Sequence, residues 1–286
     1  MARTHLPEVP GVRHRWVEAA GLRVHVALAG PEVGEPVVLL HGWPQHWYAW
    51  RHVVAALPPD VRLVLPDLRG LGWSAAPRSG YGKEQLAYDL MATLDALDVR
   101  RAVLVGHDWG GYVAHLAALR WPDRVRALLE VAIVPPVSTL RIGPRDLRRF
   151  AYQPAMAAPL ASQLALVTAP GVVERLLASA AHRSYSVEAE AAHSYAAVLR
   201  EPARARASAL YYRRFLLEDL PRVRAGRYDA PLEMPHRLVL GSHDPVIRRR
   251  FLPAGGREHV RVVHGSGHFV PEESPGELAA EVLRLL

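Results

Sequence analysis

The stretch Val103-Leu-Val-Gly-His-Asp-Trp-Gly-Gly-Tyr112 constrains this chain more than any other. A short apolar run reads as a buried strand ending at Gly106, and helical spacing of apolar residues begins near Gly110. Between them only a tight turn fits. Small residues at Gly106 and Gly110 let the residue between them sit with strained backbone above the strand edge. That residue is Asp108. The N–H groups around such a turn aim at an anion developing beside it. The blander reading is a helix N-cap, since an aspartate at a helix start accepts backbone N–H groups.

Short β-rich runs alternate with helical patterns around this stretch. Arg15–Val17 and Leu22–Leu28 read as a hairpin about Ala20-Gly21, and Pro36–Leu40, Val61–Leu65, Ala102–Val105 and Val125–Val134 read as strands. Trp50–Leu57, Lys83–Leu97 and Gly110–Arg120 carry helical spacing. Strand and helix alternating at this pitch predict parallel strands flanked by helices. From Pro135 to Arg227 the patterning is helical, rich in alanine and arginine, with no strand signal. Strands return at Arg237–Leu240 and Val260–Val263, and Pro275–Leu286 reads as a closing amphipathic helix. One α/β core, residues 1–134 and 231–286, is therefore expected around a helical insertion at 135–230.

Composition removes several classes of function. The 286 residues contain no cysteine, which excludes disulfides, thiolate catalysis and zinc–thiolate sites. No window offers the roughly 18 uninterrupted apolar residues of a membrane helix. The N-terminal MARTHLPEVPGVRHR lacks an apolar h-region, so a cytoplasmic protein without membrane association is expected. Net charge is +7, and of 35 basic residues Lys83 alone is lysine. The densest arginine clusters, Arg141–Arg149, Arg200–Arg214 and Arg248–Arg250, match no nucleic-acid-binding motif and read as solvated surface. None of the 15 histidines shows H-E-x-x-H spacing, so neither metal nor cofactor is expected.

Three further motifs join the first. Leu238-Val-Leu-Gly-Ser-His-Asp-Pro245 places Asp244 just past a strand, and Val263-His-Gly-Ser-Gly-His-Phe-Val-Pro271 places His268 in a loop after the last strand. Alone, the first is a turn-forming Asp-Pro and the second a satisfied loop histidine. Together with Asp108 they give nucleophile, acid and histidine in one chain order, each at the carboxyl end of a predicted parallel strand. Leu39-Leu-His-Gly-Trp-Pro44 follows an earlier strand, and the N–H groups of Trp43 and Trp109 would form an oxyanion hole. Gly70-Leu-Gly72 lacks the third glycine of a dinucleotide fingerprint and opens no helix directly.

The set HGWP, DLRGLGWS, GHDWGG, GSHDP and GSGHF resembles the α/β-hydrolase superfamily, within it the branch with an aspartate nucleophile, and most of all the epoxide hydrolases. The resemblance implies a mostly parallel eight-stranded sheet flanked by helices, with a helical cap inserted after the sixth strand. It also implies a detoxifying enzyme that needs no cofactor. A homodimer stays open.

The chemistry narrows the substrate. A carboxylate that attacks an acyl carbon gives an anhydride, a poor intermediate in water; one that attacks an sp³ carbon bearing a leaving group gives an alkyl ester, which water then opens. The partners expected are an alkyl electrophile, an epoxide foremost, and water. His268 would activate that water with Asp244 fixing its tautomer. An opened epoxide oxygen needs a proton, and epoxide hydrolases supply it from two cap tyrosines. Ser208-Ala-Leu-Tyr-Tyr-Arg-Arg214 and Phe150-Ala-Tyr-Gln-Pro154 are similar to those segments and imply Tyr212 and Tyr152. Tyr211 and Tyr212 point about 100° apart on a helix, so only one faces the site. Two readings compete: a haloalkane dehalogenase with Trp109 and Trp43 as halide donors, and a ligand-binding protein without catalysis.

Overall fold

Two residues write the first turn. Ala20 and Gly21 both have positive φ, 50° and 80°, as a two-residue hairpin turn of the primed type requires. They join β1 (Val12–Ala19) to β2 (Leu22–Ala29) in antiparallel register. A computed structural model of the chain describes residues 5–183, 185, 187–252 and 259–286; the first four residues of the stretch read for a leader lie outside them. Six more strands follow: β3 (Val37–Leu40), β4 (Leu63–Pro66), β5 (Ala102–His107), β6 (Val125–Val131), β7 (His236–Gly241) and β8 (Val260–Val263). They form one sheet in the order β1-β2-β4-β3-β5-β6-β7-β8. From β4 to β8 every pairing is parallel.

The central strands read as continuous apolar runs because both of their faces are covered; every residue of β3 and β5 is buried. Helices α1 (Arg51–Ala56), α2 (Lys83–Asp95) and α3 (Trp109–Arg120) follow β3, β4 and β5. Next in the chain come α4 (Pro144–Leu147), α5 (Tyr152–Ala157), α6 (Ala161–Thr168), α7 (Val172–Ala180), α8 (Ala189–Leu199), α9 (Pro202–Arg214) and α10 (Leu220–Arg224), all between β6 and β7. No strand occurs there among the described residues. A π-helical turn at Phe215–Asp219 separates α9 from α10. The short α11 (Val270–Glu273) and then α12 (Pro275–Leu283) end the chain, and no helix is long and apolar enough to cross a membrane among the described residues.

Differences from the sequence reading lie at element ends, and each has a local cause. The strand expected over Val125–Val134 stops at Val131, because Ala132 turns to φ 50°. The helix expected over Lys83–Leu97 stops at Asp95, with Asp98 at φ 55° reversing the chain. Trp47–Trp50 is a 3₁₀ turn that leads into α1. Register then assembles the functional edge: Leu40 pairs with Gly106, Val131 with Val239, and Gly241 with Val263. The loops after β3, β5, β7 and β8 therefore leave the sheet at one level, where open parallel sheets place ligands.

Candidate active site

Asp108 sits between β5 and α3 at φ 49° and ψ −124°, a backbone state that costs about 1–3 kcal/mol for a residue with a side chain. Its neighbours must be bare. A Cβ on Gly106 would stand 2.4 Å from the Gly110 carbonyl oxygen, and one on Gly110 would stand 2.4 Å from that of Leu40. Asp108 makes no side-chain cap on α3, so the N-cap reading falls. Instead the Trp43 N–H donates to Asp108 Oδ2 at 3.0 Å, and the Trp109 N–H also faces the carboxylate. Gly42 makes this approach possible, for a Cβ there would lie 2.4 Å from Asp108 Cβ. The Trp43–Pro44 peptide is cis.

His268 completes the edge. Its Nδ1 lies 2.8 Å from Asp244 Oδ2, and its Nε2 lies 3.8 Å from Asp108 Oδ1. Asp244 is fixed by the N–H groups of Val246 and Ile247, which donate to Oδ1 at 2.7 and 2.9 Å. The His268 backbone is held from both sides: its N–H donates to the Ala180 carbonyl, and its own carbonyl accepts from His107 Nε2, each at 2.9 Å. Burial works against an imidazolium here. The carboxylates of Asp244 and Asp108 outweigh it and lift His268 to about 10. Burial likewise opposes the Asp108 charge, but the facing His268 wins and holds that carboxyl below its usual range. At neutral pH the resting site is an imidazolium between two carboxylates.

The helical insertion supplies the opposite wall. Tyr212 of α9 meets Trp43, Trp109 and Tyr152 edge to face, with ring centroids 5.4, 5.5 and 5.8 Å away. Burial raises the pKa of Tyr152 and Tyr212, and the nearby Asp108 carboxylate adds to it for both, so both hydroxyls keep their protons. Tyr211 faces elsewhere, its hydroxyl donating to the Arg69 carbonyl at 2.9 Å. The Trp43 indole N–H donates to Ser208 Oγ at 3.0 Å, whereas that of Trp109, also buried, has no partner of normal geometry. The seven residues expected from the sequence thus meet in one place.

A family model described as the alpha/beta hydrolase fold matches residues 35–275. The chain belongs to this family. Among curated relatives, this α/β hydrolase is 40% identical over 124 residues to a protein named soluble epoxide hydrolase from Corynebacterium sp. (strain C12), covering 43% of each chain. That alignment spans less than half of the relative's length. It is also 29% identical over 321 residues to epoxide hydrolase A from Mycobacterium tuberculosis, covering 95% of this chain and 96% of that one. Among solved structures, the epoxide hydrolase CorEH without ligand superposes with a TM-score of 0.83 at 29% identity, over 96% of this chain and 98% of that one.

Other residues of this α/β hydrolase serve the same place without having been singled out from the sequence. Gly42 and His107 lie inside the quoted motifs, and spacing alone gives them no role. Ser208, which anchors Trp43, is an ordinary small residue on a helix. The Gly70-Leu-Gly72 loop is structural: Gly72 at φ 50° leaves room for Asp67, whose carboxylate accepts the N–H groups of Trp47 and Trp73, both at 2.9 Å. No cluster of three or more imidazole or acidic groups is set to hold a metal among the described residues.

Proposed function

We propose that this α/β hydrolase is an epoxide hydrolase that turns an epoxide and water into a vicinal diol. What carries the reading is the Tyr152–Tyr212 pair, two protonated phenols packed together at Asp108. Asp108 attacks an epoxide carbon and the C–O bond breaks. The released oxygen takes the proton of one tyrosine, leaving a hydroxyalkyl ester on Asp108. Esterification erases the Asp108 charge that helped to hold the proton on His268. That proton then returns to the tyrosinate, and His268 becomes neutral.

Neutral His268 is the general base for the second half. It takes a proton from water, the hydroxide attacks the Asp108 carboxyl carbon, and the N–H groups of Trp43 and Trp109 receive the oxyanion. Collapse breaks the ester C–O bond, the leaving oxygen takes the second proton of the attacking water, and the diol departs from a restored carboxylate and imidazolium. The protein, the epoxide and water supply every atom in the cycle.

The dehalogenase reading needs two N–H donors for a halide. The Trp43 indole is engaged by Ser208, which leaves that of Trp109 alone. The test is a parallel assay with styrene oxide and 1-bromobutane, following diol and bromide. Diol without bromide supports the proposal. Bromide without diol would replace it with dehalogenation, and neither product, with no adduct on Asp108 in a His268→Gln variant, would leave a binding protein.

A further inference from the structure

Lys83, the chain's single lysine, is fully buried at the start of α2. A buried ammonium is costly unless paired and hydrogen-bonded, and its partners come from three other elements. Its Nζ donates to the Tyr211 carbonyl at 2.9 Å, near the end of α9. It lies 3.8 Å from Asp219 Oδ2, at the end of the π-helical turn. It stands 4.3 Å over the ring of Trp109, the residue after Asp108. The same Asp219 carboxylate also accepts the Lys83 backbone N–H, at 3.3 Å to each oxygen. The Tyr211 carbonyl belongs to the residue directly before Tyr212, so one ammonium touches the neighbours of both Asp108 and Tyr212.

The residue type fits the place. Everywhere else this chain uses arginine for its basic charge. A guanidinium is a broad planar fork, whereas an ammonium is a compact point charge that can seat over a ring and still donate to a carbonyl beside it. A cation near a helix C-terminus also satisfies carbonyls left open there, and π-helical turns leave such groups at functional sites.

We propose that Lys83 is a positioning residue for ring opening: its ammonium clamps the Trp109 ring to the Tyr211 carbonyl and so holds Tyr212 in place opposite Asp108. This rests on the epoxide reading of Tyr212. Lys83 acts through Trp109 and Tyr212 and touches no substrate. Burial brings its pKa down to about 8, against the opposing carboxylates of Asp219, Asp108 and Glu218. The other groups facing the clamp are the rings of Tyr211 and Phe215, and Arg222, 3.7 Å from Asp219. As pH rises through about 8 the ammonium is lost, and the clamp opens while His268, at about 10, remains charged.

The experiment is single-turnover alkylation of the enzyme by styrene oxide between pH 6 and 10, read as the mass of the Asp108 adduct after acid quench. In the wild type, the alkylation rate should fall through an alkaline limb near pH 8. Lys83→Met should alkylate roughly tenfold to a hundredfold more slowly at pH 7, the scale of a misplaced catalytic group. It should lose that limb and show kcat/KM lowered by the same factor, because that ratio reports alkylation whichever step limits turnover. Lys83→Arg should restore charge without full rate. A Lys83→Met enzyme that alkylates at the wild-type rate, or keeps the limb, overturns the proposal. Should Lys83→Met not fold, the wild-type profile decides: a flat rate from pH 7 to 9 overturns the clamp while the adduct itself upholds the epoxide reading. No adduct and no diol from the wild type at any pH would sink that reading and Lys83 with it.

Discussion

At the scale of single residues, the site depends on what is absent from Gly42 as much as on Asp108. Gly42→Ala would drive a methyl to within 2.4 Å of Asp108 Cβ and 2.6 Å of Oδ2. It should cut alkylation by about a hundredfold or more and also lower the urea midpoint, since a methyl forced into a packed interior costs about 1–3 kcal/mol, checked by adduct formation and urea unfolding. His268 gives a second prediction, with its sign fixed by an upward shift from 6.5 to about 10. A raised pKa means that the ion pair stabilises the fold in full below about pH 6.5 and is lost as pH rises through about 10. Urea midpoints of the wild type should therefore fall across that window, and Asp244→Asn should flatten the fall. In the proposed cycle the breakdown of the ester needs neutral His268, so the fraction of Asp108 trapped as adduct should grow as pH is lowered, read by acid quench and mass spectrometry. The meeting of Asp108, Asp244 and His268 could be read from the sequence because each stands beside its own strand end and turn glycine. Gly42 could not be given its role, since the clash it avoids is with a residue 66 positions away.

At the scale of elements, α9 separates two adjacent tyrosines that the sequence leaves equivalent. Helical geometry says that only one faces the site, but the phase of α9 is set by what packs on it. Tyr211 reaches Arg69, and Tyr212 reaches Trp43, Trp109 and Tyr152. Tyr211→Phe should cost about 1 kcal/mol of stability through one lost hydrogen bond and leave kcat near the wild-type value. Tyr212→Phe should slow ring opening roughly tenfold to a hundredfold or more with the fold unchanged, and the double variant Tyr152→Phe/Tyr212→Phe should nearly stop it. Stopped-flow alkylation beside thermal melts separates the two effects. The π-helical turn after α9 had no pattern to announce it, because Phe215–Asp219 continues an ordinary helical run until Lys83 and Asp219 meet.

At the scale of the whole molecule, one buried carboxylate ties the insertion to the core. Glu272 of α11, four residues past His268, receives Arg51 Nη2 at 2.8 Å, Gln45 Nε2 at 2.9 Å and the Tyr195 hydroxyl at 2.5 Å. Arg51 belongs to α1, Gln45 to the loop after β3, and Tyr195 to α8. Removing one partner of a buried ion pair costs about 3–5 kcal/mol. Glu272→Gln should therefore lower the melting temperature by roughly 2–4 °C for each kcal/mol, measured by calorimetry. The layered α/β architecture was legible because apolar runs and turn residues are local. The hub was not, because Gln45 and Glu272 lie 227 positions apart. Arg51 in turn looks like any surface arginine until its burial, at 5% exposure, is known.

The solitary, enclosed Lys83 has a consequence for the bench. An amine-acylating reagent meets no lysine side chain on the folded molecule and gains one only when α2 comes away from α9. The extent of Lys83 acylation, read from an arginine-bounded peptide, is then a zero-background clock for opening of that seam. A chain without thiols leaves any single engineered cysteine as an independent second handle.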